Sequence, residues 1–386
     1  MKIFKIVFKN AFRHKLRAML TILGIAIAVT AFGFLRTVVG AWYSGVDASA
    51  ANRLVSRQAV SFIFPLPLAY RDQIAKIPGV DRVSFANWFQ GVYKDKSQFF
   101  ARLAVDAESF LEVYPEFLIP SEQLETFKKE RNSCVVGTDL VKTYGFKIGD
   151  VVPIDGDIFP GRWEFVVKGI YTPRDKTIDG TQMLFHWDYL DERMRQETPG
   201  RAGQVGWYII KIADPNKSAE ISVQVDELFK NSRAETKTET ERAFQQGFVQ
   251  SGDAIINGIN FVSFVIVGII MLVLGNTMIM SARERTREYA VFKTLGFSGG
   301  RIFGMIFGES MILSAMGAAL GMPLTVGLVN AFAAFIPKGM FPVFEVTLVT
   351  YVFSAAAALT VGVLASIFPI QRALRTTIVD GLRHLG

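Results

Sequence analysis

Cysteine, histidine and acidic residues within apolar stretches are all scarce in this 386-residue chain. A single cysteine, Cys134, excludes an intrachain disulfide framework and any cysteine-rich metal site. The three histidines, His14, His186 and His384, stand far apart and offer no metal-ligand spacing. No G-x-x-x-x-G-K-[ST] run occurs, so the chain carries no phosphate loop of its own for ATP. Gly296-Phe-Ser-Gly-Gly-Arg301 is glycine-rich but lacks the Lys-Ser/Thr pair and follows no strand, and it reads as a helix-to-helix connection. H-E-x-x-H is absent, and the one G-x-S-x-G match, Gly296-Phe-Ser-Gly-Gly300, follows no strand. Asp155 and Asp157 lie in a Gly/Pro-rich stretch and read as turn residues, and His186 reads as a surface or packed residue. The expectation is a chain with no catalytic residues, no metal and no cofactor of its own.

Half of the residues are hydrophobic, 33 are Phe, and only 20% are charged, too apolar for a disordered or nucleic-acid-binding tail. The net charge of +7 is unevenly spread. Residues 47–250 hold 26 Lys+Arg against 29 Asp+Glu, and the remainder holds 16 against 6. Positive charge therefore accompanies the hydrophobic segments, the pattern of a membrane protein that binds no nucleic acid.

Four such segments stand out: 18–35, about 254–280, about 302–336 and about 344–370. The first is free of charge and, at about 27 Å as a helix, covers most of a bilayer core. Its apolar run exceeds a signal-peptide core and the small-residue site at Ala48-Ser49-Ala50 lies far beyond it, so it reads as an uncleaved anchor. The third is long enough to tilt or to break near Gly321-Met322-Pro323. Six Lys/Arg precede the first segment, five lie in 281–301, three follow Gln371, and only Lys338 falls in 337–343. This bias predicts both termini and residues 281–301 in the cytoplasm, with 45–250 and 337–343 outside.

Residues 45–250 read as a soluble α+β insert between the first two spans. Val80–Trp88, Ser133–Val136, Phe165–Tyr171 and Trp207–Ile212 are strand candidates, and Pro67–Ile77, Thr138–Tyr144 and Ala219–Lys230 are helical. Polar sequence at Arg36–Val60 and Thr236–Asp253 predicts helices projecting from the membrane as a stalk. Phe62-Ile-Phe-Pro-Leu-Pro-Leu68 is apolar, and two readings stand for it: burial in the outer domain or at a dimer interface, or contact with a lipidic client through Phe62, Phe64 and Leu66.

The stretch Ser281–Arg301 is the most specific. Arg283 and Arg287 share a helical face, Tyr289, Phe292 and Leu295 share another, and Gly296 stops the helix. Periodicity alone allows a helix lying on lipid headgroups or a knob seated in a groove of a cytoplasmic partner. Glu309 is an acid within a long apolar run, open to a packing role or a coupling role.

The run Arg285-Thr-Arg-Glu288-Tyr-Ala-Val-Phe-Lys-Thr-Leu-Gly296, followed by Glu309, resembles the signature of the FtsX-like/MacB-type permeases of ABC transporters. Lys15 through Gly24, Pro369 through Ala373, and Leu382-Arg383 resemble that family's opening and close. Ile77-Pro-Gly-Val80-Asp-Arg-Val83 and Val136 through Asp150 resemble its periplasmic core. The resemblance implies a membrane protein of four transmembrane helices with a large extracytoplasmic α+β domain between the first two, in a bacterial inner membrane. It implies a separate cytoplasmic ABC ATPase subunit holding ATP and Mg, and pairing with a second copy or a paralogous permease. A periplasmic adaptor or lipoprotein and membrane lipids complete the implied partners. On this account Arg285, Arg287, Glu288, Phe292, Leu295 and Gly296 form the ATPase-coupling surface, and ATP-driven motion reaches the outer domain for export or extraction of a client. The alternative is an FtsX-like signalling scaffold that regulates a cell-wall hydrolase or senses a peptide.

Overall fold

The computed structural model describes residues 2–47, 49–96, 98–175, 177–336, 341 and 343–377. Lys338 and the Leu382-Arg383 pair therefore lie outside the described residues. The chain forms two compact units, one drawn from residues 2–40, 253–335 and 344–377 and the other chiefly from 41–252.

The first unit is helical: α1 (Lys2–Ala11), α2 (Lys15–Asp47), α3 (Asp253–Glu284), α4 (Thr286–Thr294), α5 (Gly299–Ala333) and α6 (Leu348–Arg375). Among the described residues four helices, α2, α3, α5 and α6, are long and apolar enough to cross a membrane. Each span is 28 to 35 residues, about 42–52 Å of helix against a hydrocarbon core of about 30 Å. Each is therefore long enough to cross that core with length to spare for tilt.

Small residues set how closely these helices approach. A Cβ on Gly317 of α5 would fall 2.4 Å from Ile25, and one on Gly321 would fall 2.7 Å from Val29. Gly317 and Gly321, a small-xxx-small spacing, thus serve packing of α2 on α5 within the chain. Of the two readings for the third segment, a tilt or a break near Pro323, the break does not occur, and α5 runs through the proline. Thr30 of α2 donates its hydroxyl to Gly321 O at 3.1 Å, and Thr325 donates to the same oxygen at 2.9 Å.

The second unit is built on a mixed sheet. Its principal strands are β1 (Arg53–Gln58), β2 (Val80–Trp88), β3 (Ala101–Val105), β4 (Ser133–Gly137), β5 (Val151–Gly156), β6 (Gly161–Pro173), β7 (Gln182–His186), β8 (Trp207–Ile212) and β9 (Thr236–Thr240). They lie in the order β9-β1-β8-β2-β3-β7-β4-β6-β5, with β3/β7 and β4/β6 parallel and the other neighbours antiparallel. Alternation along β6 buries Trp163, Phe165 and Val167 while Arg162 and Glu164 stay out, and a register shift after Val167 turns Tyr171 to the opposite face. One face of the sheet packs Phe89, Phe165, Phe185 and Tyr208, and the other packs Phe110, Phe117, Phe127 and Tyr171. His186 is a packed residue, with Nε2 2.6 Å from Phe127 O.

The stalk departs from expectation. Helix α2 ends at Asp47, and Arg53–Gln58 is a strand paired on both sides, with β8 and β9. Thr236–Thr240 is the strand β9, and only Glu241–Ser251 is helical. Alternating Thr residues at 236, 238 and 240 and the β-branched Val55 favour extended chain, a period-two signal hidden in a polar segment. The helix expected over Pro67–Ile77 is confined to Tyr70–Ile74, because Leu66–Pro67 pairs with Gln204–Val205.

Candidate coupling site

Helix α4 is short, and it is fixed at three points. At its start Arg285 is buried, and its guanidinium meets the Glu309 carboxylate of α5 at 2.7 Å. The same guanidinium donates to Asn10 O beside the end of α1 at 2.8 Å. One turn on, Glu288 accepts from Arg13. At the far end Lys293 Nζ donates to Leu374 O at 2.9 Å and Thr376 O at 2.6 Å, capping the C-terminus of α6. Nearby, Arg17 at the start of α2 holds Glu284 at the end of α3 through two hydrogen bonds of 2.8 and 2.6 Å.

The helix stops by a Schellman motif. Gly296 has φ +81, its N–H donates to Lys293 O at 3.1 Å, and Phe297 N–H donates to Phe292 O at 2.9 Å. The rings of Phe292 and Phe297 close the motif with centroids 5.2 Å apart. What remains outward is a compact surface: Arg287 is exposed, Val291 is partly exposed, and Leu295 is 69% exposed.

The residues expected on that surface divide accordingly. Arg287, Glu288, Leu295 and Gly296 are accessible, and Phe292 is half-buried. Arg285 is 6% exposed and lies inside, because Glu309 draws it inward. Tyr289 is also interior, where burial, opposed by the Arg285 guanidinium, pushes its phenol up to about 12. The sequence gives Lys293 and Arg13 only as loop and terminal charges, since their partners lie 81 and 275 positions away.

In the outer unit the apolar stretch also divides. Leu66 is fully buried in the core and unavailable to a client. Phe62 stacks among Trp207, Phe244 and Phe248 at centroid distances of 4.9, 5.4 and 5.7 Å. Ile63 and Phe64 are 87% and 52% exposed. Phe62 and Ile63 border a cleft of about 390 Å³ walled by Trp88, Trp187 and Trp207, a size and lining suited to a small apolar group.

A buried ionic cluster, absent from the sequence reading, joins the chain's entry to the outer unit with its exit. Arg53 bridges Glu116 at 2.6 Å and Glu241 at 2.8 Å and lies 4.3 Å over the Tyr114 ring. Glu241 also accepts from Tyr114 Oη at 3.0 Å and from Ala50 N at 2.9 Å. Burial alone lowers the Arg53 pKa, but Glu241, Tyr114 and Glu116 outweigh it and hold it above its ordinary value. Among the described residues no group of metal-binding side chains occurs.

Residues 18–228 match the MacB-like periplasmic core domain, and residues 260–378 match the FtsX-like permease C-terminal domain. The chain is similar to an uncharacterised ABC transporter permease of Methanocaldococcus jannaschii, with 22% identity over 402 residues, 97% of this chain and 96% of the relative. It is 27% identical over 155 residues to the macrolide export ATP-binding/permease protein MacB of Nitrobacter winogradskyi, covering 40% of this chain and 22% of that one. Among solved structures it is similar to the periplasmic region of MacB from Actinobacillus actinomycetemcomitans, with TM-score 0.37, 11% identity, and 53% and 95% of the two chains covered.

Proposed function

Because the chain belongs to the family of ABC transporter permeases that join a MacB-like periplasmic core to an FtsX-like C-terminal half, we propose that it couples a separate cytoplasmic ATPase subunit to movement of its outer domain. The observation that carries this reading is the bracing of α4. A helix fastened to α5 through Glu309, to Arg13 through Glu288 and to the end of α6 through Lys293 cannot be displaced alone. A push on its exposed face of Arg287, Val291 and Leu295 is delivered to the spans as a group.

In this reading both termini and α4 are cytoplasmic, following the positive charge bias. ATP and Mg are bound by the partner, and the permease works with a second copy or a paralogue. Motion enters the outer domain through α2 and through Glu241–Ser251, and the Arg53–Glu241 pair ties the strand that follows α2 to the first residue of that second helix. The tryptophan-walled cleft beside Phe62 favours handling of an apolar client, with an adaptor or lipoprotein receiving it, over a purely signalling output. The test is co-purification of the ATPase with the full chain from its native membrane, combined with ATPase assay. Leu295→Ala with Arg287→Ala should abolish recovery of the ATPase while leaving the permease folded. Undiminished recovery and stimulated ATPase activity would remove α4 from the coupling role.

A further inference from the structure

We propose that the groove between the C-terminal ends of α3 and α6 binds the phosphate of an anionic phospholipid. The groove encloses about 930 Å³, and four arginines line it: Arg283 and Arg287 from one side, Arg372 and Arg375 from the other. All four are exposed. One carboxylate, Glu284, also lines the groove and is committed to Arg17, and the nearby Glu288 and Glu309 are committed to Arg13 and Arg285. Four guanidiniums in one groove repel one another, the more so at a membrane edge where the dielectric falls. A phosphate relieves that repulsion and accepts paired N–H donors from each planar fork.

The groove's remaining walls decide the source of the phosphate. Ile279 and Phe368 line it on the side of the spans, and Phe368 is 70% exposed. Met280 on α3 and Leu364 on α6 continue the exposed apolar surface along the same two helices. A free phosphate satisfies the arginines and leaves that surface uncovered. A phospholipid satisfies both, headgroup among the arginines and acyl chains along Phe368. Basic pockets between membrane helices recognise anionic headgroups in this manner. The site goes beyond the coupling proposal and stands whether or not α4 meets an ATPase. Only Arg287 is shared with the coupling surface, so the test uses the arginines of α6.

The full chain, purified in mild detergent, is titrated with dioleoyl phosphatidylglycerol and with dioleoyl phosphatidylcholine, and bound lipid is counted by native mass spectrometry. Phosphatidylglycerol should bind in preference, and Arg372→Gln/Arg375→Gln should weaken it by about tenfold or more, as expected for lost charge-assisted hydrogen bonds. The Arg372→Lys/Arg375→Lys variant, which keeps the charge but not the forks, should fall between and guards against a folding defect. Equal binding of the two lipids would overturn the proposal, as would unchanged binding by both variants. Inorganic phosphate matching the lipid's affinity would overturn the lipid source. A Gln variant that keeps the lipid but loses the ATPase would assign the groove to the protein partner instead.

Discussion

Arg285 and Glu309, 24 positions apart, meet at 2.7 Å inside the helical unit, where each is almost wholly buried. The pair joins the start of α4 to α5, so the segment that faces a partner is anchored by the one acid set deep in the apolar sequence of that span. Removing one member strands the other charge in a low-dielectric interior. Glu309→Leu should therefore destabilise the protein by about 3–5 kcal/mol, and Arg285→Met/Glu309→Leu should recover much of that loss. Thermal unfolding of parent, single and double variants in one detergent measures it. A double variant no better than the single would mean that the Arg285 bond to Asn10 O, not the ion pair, carries the stability.

The Arg53 cluster makes a parallel case in the outer unit. Glu241→Ala removes the acceptor for Arg53, Tyr114 and Ala50 together, and the buried guanidinium keeps only Glu116 as a carboxylate partner. A loss of about 3 kcal/mol is expected. Glu241→Gln retains an oxygen acceptor and should lose less. Because Glu241 opens the helix that leads to α3, the same variants should lower client-dependent ATPase stimulation more than basal turnover. Equal effects on both rates would mark the cluster as purely structural.

Gly296 adopts φ +81, and nothing lies within 4 Å of a Cβ placed there. The cost of substitution is thus backbone strain without a clash. Gly296→Ala should lose about 1 kcal/mol and Gly296→Val more, while Gly296→Asn, at ease in the left-handed region, should lose least. The ranking is read from thermal midpoints. A ranking by side-chain size, with Asn as harmful as Val, would show that space and not φ governs this position.

Much of this architecture is legible in the sequence, for physical reasons that also explain the remainder. Apolar runs long enough to span a bilayer announce themselves, and each of the four segments falls largely within a long helix, the third overrunning Ala333 and the fourth starting ahead of Leu348. Trp207–Ile212 reads as a strand because turn-forming residues bound a β-rich run, and it is one. The stalk misleads because polar strands such as Thr236–Thr240 look amphipathic at either period. Arg285 reads as a surface charge since its distance from Glu309 in sequence conceals their meeting in space. Arg53 and Glu241, 188 positions apart, give no local sign of each other. Ion pairs of this kind follow from the fold, and a sequence pattern reports only the elements.

Tyr289 supplies a pH test of the interior position of α4. Its phenol, ordinarily near 10.0, is held up to about 12, chiefly by burial, since an ionised phenolate is poorly solvated there. The unfolded chain gives up this proton first as pH rises. The stabilising contribution is therefore complete below about pH 10 and is lost progressively between about 10 and 12, by at most about 3 kcal/mol. Tyr289→Phe cannot ionise, so its stability should fall less steeply through that window than the parent's. Other buried phenols, such as Tyr208, add an alkaline loss that is common to both proteins and cancels in the comparison. Paired unfolding curves from pH 9 to 12 measure the difference. Superimposable alkaline slopes would place the Tyr289 ring in water, and with it the face of α4 assigned here to the bundle.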